Sequence, residues 1–316
     1  MARKIFFGLV VFSIVMFSCT NGKKTKPTSV EFNPTEQESQ LFYINPKQDT
    51  ILTLKSGNKI TVSENSFITT NKAKQTDSIY IEVFEYYNAE DLVLEGITNQ
   101  SDSNLLKNHY YFYIKAYNNV GGLTINKNLK VKIGTIRNYN PQFYRGDKKS
   151  NGSFTWEKES IKIDSIYLIM SRTSILDTLN IYSDGSSEYN QNNDLYYLLK
   201  ITKPGLYLLC EEIELENKSN VTVKVDIPKE YRNYSASCYL KNQNVNIGFS
   251  LEDKRNEFIF KIPEGEPFVL VCLHKEKNKV SYYMQEYTTD TKEIHVSSFT
   301  ESSKADFKKK FRALIK

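Results

Sequence analysis

The chain has 316 residues, 42 Lys or Arg against 37 Asp or Glu, and a formal net charge of +5. Of that charge, +2 sits on Arg3 and Lys4, +3 on Lys23, Lys24 and Lys26, and +4 on the stretch from Thr300 (six basic, two acidic), so the rest carries −4. Basic charge held at the two ends excludes the clustered basic face of a nucleic-acid binder, and no nucleic-acid partner is expected.

The chain opens with a basic start, Met1 to Lys4, then an apolar run of 13 residues from Ile5 to Phe17, then Ser18-Cys19. Thirteen residues fit the apolar core of a signal peptide and fall short of the ~20 a membrane span needs. A small residue directly before a cysteine resembles the bacterial lipoprotein signal, although Met16 and Phe17 stand where Leu and Ala are more usual. That resemblance implies removal of residues 1–18, acylation of Cys19, and attachment to a lipid bilayer through its fatty chains. Residues 19–36, with few apolar groups and three lysines, read as a flexible tether. A basic rather than acidic run behind the cysteine leans towards the periplasmic face of the outer membrane over the cell surface.

The remaining ~280 residues are too many for one typical domain and suit two. They hold most of the 22 Tyr and 18 Phe, residue types that fit a pleated, half-buried surface. Residues 37–136 read as one strand after another. Thr50 to Leu54 reaches the turn Ser56-Gly57-Asn58 and returns as Lys59 to Val62. Ser78 to Tyr86 alternates, with Ile79, Ile81 and Val83 on one face, and His109 to Tyr117 is dense enough in apolar groups for a central strand. Residues 137–193 are less regular and read as an extended connector. Strand patterning resumes over 194–299, opening with Leu195 to Ile201 and Leu206 to Leu215. Residues 300–316 place Phe307, Phe311, Leu314 and Ile315 on one helical face, with Ser302 or Thr300 able to cap the helix. The expected fold class is all-β: two antiparallel β-sandwich domains in tandem with a short C-terminal α-helix. That helix is expected to dock on the second domain, with a membrane-surface position as its alternative.

Two further resemblances bear on identity. The series Lys55 to Phe67, Ile79 to Tyr87 and Asp91 to Thr98 resembles a ZU5-like β-sandwich module, of the kind found in uncharacterised lipoproteins of Bacteroidetes. Gly205 to Cys210 and Phe260 to Gly265 resemble the companion C-terminal β-domain of those proteins. Some ZU5 modules cleave themselves at a His-Phe-Ser step, and neither Asn65-Ser66-Phe67 nor His109-Tyr110-Tyr111 matches it. The recurring Asp-(Ser/Thr)-apolar triplets resemble O-glycosylation acceptors of exported Bacteroidetes proteins. They make Thr50, Ser78, Ser165 and Thr178 candidate acceptors, while the same triplets also suit turn residues that precede strands.

Chemistry is sparse. His109, His274 and His295 stand in separate strands, no paired Cys-x-x-Cys spacing occurs, and neither metal nor cofactor is expected. No phosphate loop, dinucleotide fingerprint or nucleophile elbow is present. Glu82 with Glu85, or Glu212, Glu214 and Glu216, offer carboxylate pairs for glycoside hydrolysis, yet a solvated strand face explains them more simply. Cys210, Cys238 and Cys272 permit one disulfide or three separate buried thiols, the latter preferred. The expectation is a non-enzymatic envelope lipoprotein with a protein partner. Its rival is a glycan-binding or glycan-processing lipoprotein in which Tyr110 and Tyr282 contact sugar.

Overall fold

The computed structural model describes residues 29–35, 38–69, 78–101, 104–134, 141–150, 153–159, 196–214, 220–227, 234–248, 250–252, 257–277 and 279–316. Cys19, the tether up to residue 28, Ser165 and Thr178 lie outside them.

Period-two alternation gives each strand an apolar face, and such a face is buried by stacking two sheets. The first pair does this over residues 29–214, and Ser29–Val30, expected within the flexible tether of residues 19–36, is instead a strand paired with Lys148 and Lys149. One sheet has the spatial order Ser29–Val30, Gln142–Lys149, Gly205–Glu214, Asn104–Tyr117, Ile79–Tyr86, Gln40–Ile44, with Phe154–Lys158 also paired to Gln142–Lys149. The other runs Tyr196–Ile201, Leu129–Gly134, Lys59–Val62, Thr50–Thr53. Ile79, Ile81, Val83 and Phe112 from the first meet Leu52, Ile60, Val131 and Leu199 from the second in one core. Tyr207 stacks between Phe112 and Phe143, 5.3 Å from each ring centre.

The second sandwich pairs a sheet of Ser250–Glu252, Glu257–Pro263, Asn220–Asp226 and Glu293–His295 with one of Val245–Gly248, Ser235–Leu240, Phe268–Lys275, Lys279–Tyr287 and Thr300–Ser303. Val223, Phe260 and Ile294 oppose Cys238, Leu270 and Cys272 in its core. Asn220–Asp226 and Glu293–His295 run parallel, the one exception among the described pairings to the antiparallel expectation. The all-β class, with tandem sandwiches and a short C-terminal helix, is what the structure shows.

The sequence-based boundary between the two halves is displaced. Tyr196–Ile201 and Gly205–Glu214, expected to open the second domain, belong to the first. The former completes the small sheet beside Leu129–Gly134, and the latter lies between Asn104–Tyr117 and Gln142–Lys149 in the large one. Gln142–Lys149 and Phe154–Lys158, expected as connector, are also strands of the first sandwich. A strand's own pattern states which face is buried but not which distant strand it joins, so residues 142–214 carried no signal of their return.

Among the described residues two helices cover the outer faces. Helix α1, Ala89–Glu95, stands where only further strand-like sequence was expected, and it ends at Gly96, whose φ of 70° is the left-handed conformation glycine supplies. Leu92 and the following Ile97 pack with Phe84, Tyr111, Tyr144 and Trp156 on the back of the first sandwich. Val93 and Leu94 pack with Val269, Val271, Phe307 and Phe311 on the back of the second. Helix α2, Lys304–Leu314, is capped by Ser303 rather than Ser302 or Thr300, the Ser303 hydroxyl accepting from the Asp306 N–H at 3.1 Å. Thr300–Ser303 is instead an edge strand. Phe307 and Phe311 are fully buried, so the apolar side of α2 is docked on the protein. No helix among the described residues is long and apolar enough to cross a membrane.

The halves are joined by buried polar groups as well as by apolar ones. Glu90, Asp91 and Glu95 of α1 are all under 6 % exposed. Arg312 donates to Glu90, Lys308 lies 2.6 Å from Asp91, and Lys275 lies 3.9 Å from Glu95. The Thr35 N–H also donates to Glu95 at 2.6 Å. Beside them the Asn246 side chain donates to the Ile97 carbonyl at 2.9 Å, and the Asn99 side-chain oxygen accepts from the Asn246 N–H at 2.5 Å. The indole of Trp156 donates to the Thr98 carbonyl at 2.6 Å. Its ring passes so close to Gly146 that a Cβ there would stand 2.8 Å from it, which accounts for the glycine.

Candidate binding cleft

Inward positions of Ile79–Tyr86 carry Ile79, Ile81 and Val83, and the fourth is Glu85, 2 % exposed at the rim of the first core. A buried carboxylate needs partners that favour its charge. Ser56 donates to it at 2.5 Å and the Gln40 amide at 2.7 Å, and the Tyr110 hydroxyl donates to it as well. Burial pushes the Glu85 carboxyl up, but donors from Ser56, Tyr110, Tyr87 and Gln40 more than offset that and hold it below its ordinary value. The same partnership, with burial, pushes the hydroxyls of Tyr87 and Tyr110 well above the usual tyrosine range.

Above this network opens a cleft of about 130 Å³, walled by Tyr87, Tyr110, Tyr197, His109 and Asn58 over the aliphatic Leu209. A register shift in the large sheet lies at this cleft. Leu209 faces Tyr110 and Cys210 faces Asn108, so His109 has no opposite residue. An extra residue of this kind re-aims a side chain. His109 and Tyr110, neighbours that a regular strand would send to opposite faces, therefore share the cleft. Burial holds the His109 imidazole below its ordinary value, with opposing smaller influences from Glu211 and Lys107.

Replacing Glu85 by Gln tests the network. A carboxyl whose folded value is depressed contributes stability that is complete above its unfolded value, near about 4.3. That stability is lost as pH falls through the lower folded value. The parent should therefore lose stability between about pH 5 and 3 more steeply than Glu85→Gln, which is already weakened at pH 7. Urea unfolding at several pH values reads this directly; parallel curves would remove Glu85 from the account.

The residues expected to contact sugar behave differently from that expectation. Tyr110 is 6 % exposed and Tyr282 5 %, the first covered in the core between the sheets and the second by helix α2. Tyr282 lies under helix α2, edge-on to Phe307 at 5.1 Å, with the Lys310 ammonium 5.8 Å from its ring centre. It presents no face for stacking and is distinct from the cleft. Tyr110 lines the cleft and holds Glu85. Thr50 and Ser78 are half-buried at strand entries, and Asp49 accepts the Glu64 N–H at 2.7 Å, a turn-forming role.

No family model matches the sequence, and no curated protein matches it either.

The remaining chemical candidates are dispersed. Glu82 points away from Glu85 on the other face of its strand and pairs with Lys115 at 2.8 Å. Glu212 accepts from Tyr144 and from Lys158. Cys210, Cys238 and Cys272 are buried free thiols, pushed up by burial. Among the described residues no group of three His, Cys, Asp or Glu could hold a metal ion. Sequence reasoning missed Tyr87, Tyr197 and the Glu85 network. The available signal was a carboxylate in phase with Ile79, Ile81 and Val83, at a position that alternation turns inward.

Proposed function

We propose that this chain is a lipid-anchored protein of the bacterial cell envelope, attached through acylated Cys19 at the periplasmic face of the outer membrane. It acts there as a non-enzymatic binding and assembly module for another protein. The signal layout and the basic tether support the address, and the ZU5-like series supports kinship with Bacteroidetes lipoproteins.

One observation carries the binding role. Gln40–Ile44 ends the large sheet and Thr50–Thr53 ends the small one, on the same side of the first sandwich, and among the described residues neither has a strand on its outer side. Protein edges are normally blunted by charge, proline or cover. Here Leu41, Tyr43 and Ile51 are 57, 67 and 64 % exposed, and the two strands contain no charged residue. Tyr43 continues a cross-strand row through Tyr80 to Tyr117, the ring centres 5.3 and 5.4 Å apart. An extended segment of a partner placed along Gln40–Ile44 would lengthen that row and satisfy the edge backbone.

Crosslinking in intact cells, followed by gentle extraction and purification of the full-length chain, should yield one defined protein. Leu41→Lys with Tyr43→Lys should lower its recovery at least tenfold, while stability changes by no more than about 1 kcal/mol. Failure to recover a partner, or equal recovery with the charged edge, would overturn the reading.

A further inference from the structure

The cleft above Glu85 has a charge character that specifies a ligand. Its walls include Tyr87, Tyr110 and Tyr197 with His109, and among the described residues no lysine or arginine lines it. Directly behind the tyrosines lies a carboxylate that is buried, charged and held by Ser56 and Gln40 as well as by Tyr110. The ring face of a tyrosine is electron-rich, and the field of a desolvated carboxylate adds to it with little screening. Cys210, which flanks the bulge on the partner strand, is buried and points to the other side of the sheet. The Lys107 ammonium, which acts on His109, lies 3.8 Å from Glu211.

We infer that this cleft is a binding site for a small organic cation, an alkylated ammonium group, held against the tyrosine rings with the buried Glu85 carboxylate behind them. The size agrees: about 130 Å³ admits an ammonium headgroup with its methyl groups. Tyr87 is the outer wall. It is 54 % exposed, its ring centre lies 6.1 Å from that of Tyr110, and the planes are inclined by 43°, so the two rings form an open corner. The bulge at His109 lies beside this corner and brings His109 to the cleft together with Tyr110. Neutral His109, depressed by burial, adds no positive charge at pH 7.

The test uses the full-length protein and two probes of equal shape, choline and its uncharged isostere 3,3-dimethylbutan-1-ol, with methyl glucoside as a neutral sugar. Calorimetry or saturation-transfer NMR should show choline binding at least tenfold more tightly than the isostere. Tyr87→Ala should weaken choline at least tenfold, and Tyr87→Phe, which keeps the ring, should not. Glu85→Gln should bring choline down to the isostere's level. Because Tyr87 is mostly exposed, its variants keep the fold even where Glu85→Gln does not. Equal binding of choline and isostere, binding of the glucoside without choline, or a Tyr87→Ala protein that binds choline like the parent would each overturn the assignment. Partner capture through the edge strands is read in a separate assay, so failure of one reading leaves the other standing.

Discussion

Cys19→Ala is expected to abolish incorporation of labelled palmitate and to release the chain from washed membranes. The argument is one of length and valency. The 13 apolar residues Ile5 to Phe17 span about 20 Å as a helix, against a hydrocarbon layer of about 30 Å. They therefore cannot replace a lipid anchor. Each buried methylene adds about 0.8 kcal/mol; one acyl chain holds a protein only marginally, while two or three make attachment long-lived. Lys23, Lys24 and Lys26 would retain some of the variant on anionic lipid at low salt. That residue should wash off near 1 M salt, where the screening length falls to about 3 Å. Fractionation with a high-salt wash distinguishes the two attachments. A variant that is trimmed and held like the parent would refute the anchor.

The second large effect concerns helix α1. Lys308→Ala leaves Asp91, whose side chain is 6 % exposed, without its ion-pair partner at 2.6 Å, and the 3.2 Å contact from Asn88 does not replace that charge. Breaking a buried pair by removing one partner costs about 3 kcal/mol, because the remaining charge stays desolvated. Since α1 belongs to the apolar clusters of both halves, the loss should be felt by both. The parent should show one calorimetric transition, and Lys308→Ala a transition lowered by several degrees with the second sandwich melting first. Replacing both partners, Asp91→Leu with Lys308→Met, should recover most of the loss, since an apolar pair of similar volume has no charge to bury. A parent with two separate transitions, neither moved by Lys308→Ala, would show that α1 does not couple the halves.

Much of the fold was readable one strand at a time. Ile79, Ile81 and Val83 share a buried face as their spacing predicts, and His109 to Tyr117 is a central strand. Phe307 and Phe311 bury one helical face as their four-residue spacing requires. These are local consequences of side-chain period, visible without knowing any partner. Gly205–Glu214 shows the limit. Its alternation was plain, yet it pairs with Asn104–Tyr117, about a hundred residues earlier, and no local pattern encodes that choice. Helix α1 is seven residues long, too short for a helical period to stand out from a strand. The cations that pair with its acids, Lys275, Lys308 and Arg312, come from the far end of the chain, so no local pattern announces the pairs.

The cleft has the same origin. Tyr110 was singled out for its aromatic ring, but its role depends on Glu85 in one strand and on the odd residue His109 in its own. A register shift belongs to a pair of strands, and neither sequence alone contains it. By itself the sequence determined the alternating faces, the all-β class and the helical face of the tail, because each follows from residue periodicity within a few turns of chain. Only the tertiary structure decided which strands close the first sandwich, that α1 joins both halves, and that a buried carboxylate stands behind an open corner of tyrosines. Those depend on contacts between residues tens to hundreds of positions apart, where packing rather than local preference selects the neighbour.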